Sequence, residues 1–456
     1  MARFRLLDKY LRRYTQLSER ELSHQLQTNL WFTPVLYIVF SFVLLALSYT
    51  ADYKFQTGER MWDIFAVDYD LTQALVSTLT AATLTLTTFT FNLILVVFTT
   101  FSGQFSPRIL KNFIASKATQ RILGIFTGSF FYMLFSFLVL NKHFAHHFFT
   151  VPLVAVLLAS LSMGTFIFFI NHAVAWLQVN KMTYEMKKES MSIVKGSLQN
   201  EIDPYKVKDT APLKEYVERL TKREGKQISS NRSGYIQLID FVEIMEEAKK
   251  DDIIIKLEYT IGDYVFSSTP ILSYWSKEDA EIDIPKYLAL FSFGKRQTEV
   301  QDMEFSINKL VEVAIRSVGN YDPKTASNAI NQLGELLSYI SCVGNLNPYL
   351  VDVDGHLRVI LQEKDFSYYL YNGLGYIRHY SEDNVIVGIQ ILSVLDLIAK
   401  SANPRDYDAI WEFAVYTTKG YEKDFLFGLD CEKFNNLLYE IAKSTGHEKD
   451  FRHMGP

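Results

Sequence analysis

The chain has 456 residues, 48% of them hydrophobic and 14% aromatic, with a formal net charge of -5. That length allows two or three domains, and the modest negative charge gives no footing for nucleic-acid binding. Two cysteines, Cys342 and Cys431, are too few for a disulfide scaffold.

Residues 1–30 read as a basic amphipathic helix, with Arg3, Arg5, Lys9, Arg12, Arg13 and Arg20 opposite Leu6, Leu7, Tyr10, Leu11 and Tyr14. Such a helix lies at a membrane interface, against anionic headgroups. Four apolar segments follow, Trp31–Tyr49, Leu71–Thr100, Ile122–Leu140 and Val151–Leu177, and the apolar excess is concentrated there. A membrane-spanning helix needs about 20 such residues. The first segment follows charged sequence and has no small-residue cleavage site after it, so it is not a signal peptide.

Basic residues orient the spans. Arg108, Lys111, Lys117 and Arg121 lie in the second loop, and Lys181, Lys187 and Lys188 follow the fourth span, while the other two loops are poor in Lys and Arg. The pattern places both termini in the cytoplasm, where Cys342 and Cys431 are expected to stay reduced.

The second span is the most informative element. It carries Thr72, Ser77, Thr78, Thr80, Thr83, Thr85, Thr87, Thr88, Thr90, Thr99 and Thr100, with the amides Gln73 at its start and Asn92 deeper in the span. At the helical period Gln73, Thr80, Thr83, Thr87 and Thr90 share one flank, and Thr78, Thr85, Thr88, Asn92 and Thr99 a second, roughly opposite. Leu71, Leu75, Leu79, Leu86, Phe89 and Leu93 run between them. Both flanks can serve as interhelical seams, because threonine returns its hydroxyl to its own backbone. Alternatively, one flank packs and the other lines a wet path in an oligomer. The expected pore-lining residues are Thr80, Thr83, Thr87 and Thr90, with Asn92 a packing or constriction residue. The loop before this span is acidic, with Asp52, Glu59, Asp63, Asp68 and Asp70. Clustered around an axis, Asp68 and Asp70 would form an outer mouth that favours cations; the alternative is an ordinary solvated loop.

Gly124 with Gly128 and Ser160 with Gly164 are small-residue pairs suited to close helix approach. Asn171 and His172 are expected to bond neighbouring helices. His143, His146 and His147 have metal-like spacing but no carboxylate or cysteine beside them, and read as interfacial residues.

Beyond the spans the chain turns polar. The expected division is a basic segment 1–30, a four-helix transmembrane domain 31–180, a helical linker 181–230, a small β-rich module 231–298 and a helical bundle 299–456. The β signal comes from Asp252–Tyr259, Asp263–Phe266 and Ile271–Trp275, with Gly262-Asp263 and Pro270 as turns. In the bundle, Gly319-Asn320-Tyr321-Asp322-Pro323 reads as a turn between helices, Pro323 taking the first helical position. The fold class is thus an α-helical membrane protein with four transmembrane helices, followed by a cytoplasmic α+β part.

There is no P-loop, no GxGxxG after a strand, no GxSxG, no HExxH and no paired CxxC. No enzyme and no cofactor are expected. The reading is an oligomeric, cation-preferring ion channel lined by the second span, with the lipid bilayer, further copies of the chain and cations as partners. The alternative is a non-conducting scaffold or sensor whose cytoplasmic part binds a ligand or protein.

Several motifs in order carry a family resemblance: Phe105-Ser106-Pro107-Arg108-Ile109-Leu110, Leu123-Gly124-Ile125-Phe126, Asn171-His172 with Leu177-Gln178-Val179, Ser233-Gly234-Tyr235-Ile236-Gln237, Gly262-Asp263-Tyr264-Val265, Gln301-Asp302-Met303-Glu304-Phe305 and Asp322-Pro323-Lys324-Thr325-Ala326. Together they resemble the bacterial membrane proteins catalogued as domain of unknown function 2254, over roughly residues 25–400. The resemblance implies a bacterial inner membrane and supplies no function. One departure stands out: the family's Ser-Pro-x-x-Asn-Asp-Pro turn has Tyr321 in place of the Asn.

Overall fold

The computed structural model describes residues 32–55, 57, 67–104, 113, 116–141, 147–195, 202–207, 210–276, 282–297, 303–343, 346–381, 384–419 and 427–453. The basic segment 1–30, His143 and His146 lie outside them. The chain divides into two units, Met1–Gln178 and Val179–Pro456.

The first unit holds four helices long and apolar enough to cross a membrane: α1 (Phe32–Lys54), α2 (Tyr69–Gln104), α3 (Lys117–Val139) and α4 (Thr150–Leu177). Half of the apolar window of α3 is buried, against about a fifth in the other three. It is the central helix, packed on α1, α2 and α4. Two glycines set the α1–α3 approach: a Cβ on Gly124 would lie 2.7 Å from the Tyr37 ring, and one on Gly128 3.1 Å from the Tyr37 carbonyl oxygen. The sequence pair is therefore used, whereas Gly164 has nothing within 4 Å and faces outward. Two short strands, β1 (Val67–Asp68) and β2 (His147–Phe148), tie the first and third loops together.

Hydroxyls inside the bundle mostly answer to their own helix. Ser48 donates to the Leu44 carbonyl and Ser136 to that of Tyr132. Such back-bonding lets apolar helices carry hydroxyls without unsatisfied donors.

The second unit opens with α5 (Val179–Ile193), α6 (Ala211–Thr221), β3 (Lys226–Ser229), β4 (Gly234–Ile239), α7 (Phe241–Lys250), β5 (Ile253–Leu257), β6 (Tyr264–Val265), β7 (Pro270–Ser276), α8 (Ile284–Ala289) and β8 (Phe291–Gly294). It continues through α9 (Met303–Gly319), α10 (Pro323–Val343), β9 (Tyr349–Val351), β10 (Leu357–Ile360), α11 (Phe366–Leu370), α12 (Tyr376–Tyr380), α13 (Val385–Ser401), α14 (Tyr407–Lys419) and α15 (Gly428–Thr445). One sheet has the order β3-β7-β5-β10-β9 and a smaller one the order β6-β4-β8. Only β10 with β5 is parallel among these pairs.

The sheet is wider than the expected 231–298 module. β3 falls inside the stretch read as helical linker, and β9 and β10 inside the stretch read as helical bundle. Alternation explains the layers: Ile253, Ile255 and Leu257 face α7, while Ile254 joins Val217 and Leu220 of α6 on the other face. Asp240 caps α7 by accepting from the Glu243 amide at 3.1 Å.

Candidate functional site

The two polar flanks of α2 meet opposite fates. Thr83 and Thr90 are 1% and 0% exposed, and Thr72, Val76, Ile94 and Val97 share their side. This side packs on α3 and α4. Thr83 donates to the Met133 sulfur at 3.4 Å, and Thr90 to the Leu86 carbonyl at 2.9 Å. Thr80 and Thr87 sit half-buried at the margin, each bonded to its own backbone. The flank expected to line a pore is therefore a packing face within one chain, because α3 and α4 occupy it.

The second flank faces outward. Thr78, Thr85, Thr88, Asn92 and Thr99 are all exposed. A pattern not drawn from the sequence becomes visible once this face is known. Ala74, Ala81, Thr88 and Leu95 alternate with Thr78, Thr85, Asn92 and Thr99 in steps of four and three, and every one is exposed. That is a heptad seam mostly of small and hydroxyl side chains, with Asn92 and Leu95 among them, at the spacing at which one helix meets another at a shallow left-handed angle.

Hydrogen bonding divides the seam chemically. Thr78, Thr85 and Thr88 donate to the carbonyls of Ala74, Ala81 and Leu84 at 2.8, 2.9 and 2.9 Å, and Thr99 to that of Val96 at 2.9 Å. With the proton committed, each hydroxyl presents only oxygen lone pairs outward. Among the described residues, Asn92 makes no side-chain hydrogen bond. An amide has two donors and an acceptor to satisfy, and hydrocarbon satisfies none of them.

The acidic loop divides too. Asp68 and Asp70 are exposed at the start of α2, and Asp68 accepts from the Leu71 amide at 2.9 Å as the helix cap. Asp68 also lies opposite His147 in the β1–β2 ladder. Asp52, read as part of a solvated loop, is instead 1% exposed. It accepts from the Thr150 and Val151 amides at 2.9 and 2.8 Å and from the Thr57 hydroxyl at 2.5 Å. A carboxylate at the end of one span thus satisfies the N-terminus of another. His172 stacks on Phe113 at 5.9 Å and lies 3.4 Å from the Thr119 hydroxyl, a bond of the expected kind between neighbouring segments.

Comparison with known proteins decides the family. A family described as "Predicted membrane protein (DUF2254)" matches residues 27–396. The chain belongs to it. Uncharacterized proteins of Mycobacterium tuberculosis, strains H37Rv and CDC 1551, and of Mycobacterium bovis are each 25% identical to it over 311 residues. The match covers 66% of this chain and 58% of each relative, so the chain spans little more than half the length of the relatives it matches. No solved structure matches. Membership gives a membrane protein of unknown activity with apolar spanning helices.

Among the described residues, the second unit offers a cleft of about 640 Å3 between α6 and the ends of β5, β7 and β10. Tyr216, Trp275, Arg223, Lys226, His356 and Arg358 line it. Trp275 is held by donating to the Arg223 carbonyl at 3.1 Å, and Arg358 is bonded to Asp352 and Asp252 at 2.8 Å each. Elsewhere in this unit Lys206 is buried, its side chain 2% exposed, with Asp203 at 3.7 Å. Burial pushes its ammonium down to about 8, and burial likewise raises the Asp203 carboxyl.

Proposed function

We propose that the chain is an oligomeric ion-conducting membrane protein whose copies meet along the exposed flank of α2. The observation that carries this reading is the outward seam itself, with Asn92 making no side-chain hydrogen bond among the described residues. Isolated in lipid, that amide stays unsatisfied; a second copy supplies a partner. Model systems put such interhelical bonds at about 1–2 kcal/mol. Self-bonded threonines then offer weak, repeated oxygen contacts along the axis, as conduction requires. They are acceptors only, and Asp68 and Asp70 stand at one end, so cations are the favoured ions. The basic residues of the second loop and after the fourth span support cytoplasmic termini, and the family resemblance supports a bacterial inner membrane.

The test is current through purified protein in a planar bilayer under a salt gradient, with Thr85→Val and Asn92→Leu beside the parent. Discrete openings whose conductance falls in Thr85→Val, with a cation-selective reversal potential, support the reading. Silence of the parent across voltage, tension and pH contradicts it. The 640 Å3 cleft favours a second reading, a sensor whose C-terminal unit binds a small ligand. A ligand that raises the unfolding temperature of a silent protein would favour that one.

A further inference from the structure

The helical part of the second unit has two ends, and most of its strongly exposed large apolar side chains lie at one of them, Leu397 lying toward the other. Helix directions identify that end. Asn328 of α10 donates to Thr183 of α5 at 2.7 Å, and Lys187 bonds Glu335 at 2.6 Å, so these helices run parallel. Gln390 donates to Asn331 at 2.8 Å and Ser401 lies 2.7 Å from Ser338, so α13 runs the same way. The starts of α5, α10 and α13 therefore share an end. Arg378 donates to the Thr417 carbonyl at 3.1 Å, which brings the end of α14 there as well. His447 stacks on Trp411 at 5.5 Å and lies 3.4 Å from Asp408, so α15 is antiparallel to α14 and also starts at this end.

On this end Tyr321 is 93% exposed, Leu429 74%, Phe427 69%, Tyr380 61% and Ile386 59%. In the opposite turns, 401–407 and 445–447, no large apolar side chain is exposed. Tyr321 is also held at φ 57, the left-handed region that disfavours a bulky residue. In this chain the strained backbone presents an aromatic ring to the outside.

We propose that this end of the bundle rests on the lipid surface, with Tyr321, Tyr380, Ile386, Phe427 and Leu429 entering the headgroup region. Connectivity selects lipid as the occupant. Val179, the first residue of α5, follows Gln178 directly, and α4 ends at Leu177. At 1.5 Å per residue, Val179 lies only about 6 Å beyond the Thr183–Asn328 bond, and Tyr321 about 10 Å beyond it. The apolar end is thus the end tethered to a spanning helix. Tyrosine suits the interface, where its ring is half wet, and Lys181 and Lys324 are exposed there for phosphate groups.

The experiment uses the full chain in phosphatidylcholine vesicles, with Cys342→Ser to remove the exposed thiol. A single exposed cysteine, Cys431 being buried, is placed by Tyr321→Cys, Leu429→Cys or Val353→Cys and carries an environment-sensitive fluorophore; Val353, 86% exposed between β9 and β10, is the distant control. Nitroxide lipids labelled near the headgroup should quench the probes at 321 and 429 at least threefold more than the probe at 353. Equal quenching at the three sites, with iodide in water reaching all of them alike, overturns the proposal. The readout needs no current, so it stands or falls separately from ion conduction.

Discussion

The two flanks of α2 are nearly the same in composition and opposite in use. Both carry threonines at helical spacing, and on both most hydroxyls bond their own backbone. What separates them is the neighbour. Thr83 and Thr90 lie against α3 and α4, while Thr85 and Asn92 are exposed among the described residues. Threonine content therefore marks a helix with two polar flanks, and the packing of one chain decides which flank is left open.

The largest effect should come from breaking the support under the buried flank. Gly124→Leu drives a side chain into the Tyr37 ring, where even a Cβ would lie at 2.7 Å. Overpacking of this kind costs about 1–3 kcal/mol or more, and most of the protein should be lost from the monodisperse peak on size exclusion. Asn92→Leu comes next. It should weaken self-association about tenfold, equal to roughly 1.4 kcal/mol, read by concentration-dependent sedimentation in detergent, while thermal stability of the monomer holds.

A control in the other unit sharpens the comparison. Lys206 has its folded pKa lowered, from 10.5 to about 8. Below pH 8 both folded and unfolded chains carry the proton and the burial penalty is fully present; from about 8 to 10.5 only the unfolded chain keeps it, so stability rises with pH. Lys206→Met should gain about 1 kcal/mol at pH 7, or about 2–4 °C. The gain should fade by pH 10.5, and oligomeric state should not change. The smallest effect belongs to Thr83→Val, which keeps the shape and removes one hydroxyl bonded to sulfur. It should cost under about 1 kcal/mol and leave both association and conductance untouched.

Local chemistry made part of this legible. Twenty-residue apolar runs and the Asp322-Pro323 turn are each decided by neighbours in sequence, whereas the Gly124–Gly128 pair is used because Tyr37 of α1 packs on it. Asp322 does cap α10, accepting from the Thr325 amide at 3.1 Å. Tyr321 explains the turn's departure from the family: the position is left-handed, which Asn adopts readily, so the family's Asn has a backbone reason there. Other features depend on distant partners. Asp52 finds the start of α4 about a hundred residues away, and β10 pairs in parallel with β5 across most of a domain. Periodicity gave two equivalent flanks of α2, and only the position of α3 and α4 tells them apart.

Disulfide cross-linking of α2 in the bilayer tests this account most directly. In a Cys342→Ser background, Thr85→Cys and Thr83→Cys are each oxidised with copper phenanthroline in native membranes. Rapid dimer formation through position 85 and none through 83 is the predicted result. Cross-linking through 83, or through neither, would contradict the claim that copies meet on the exposed flank.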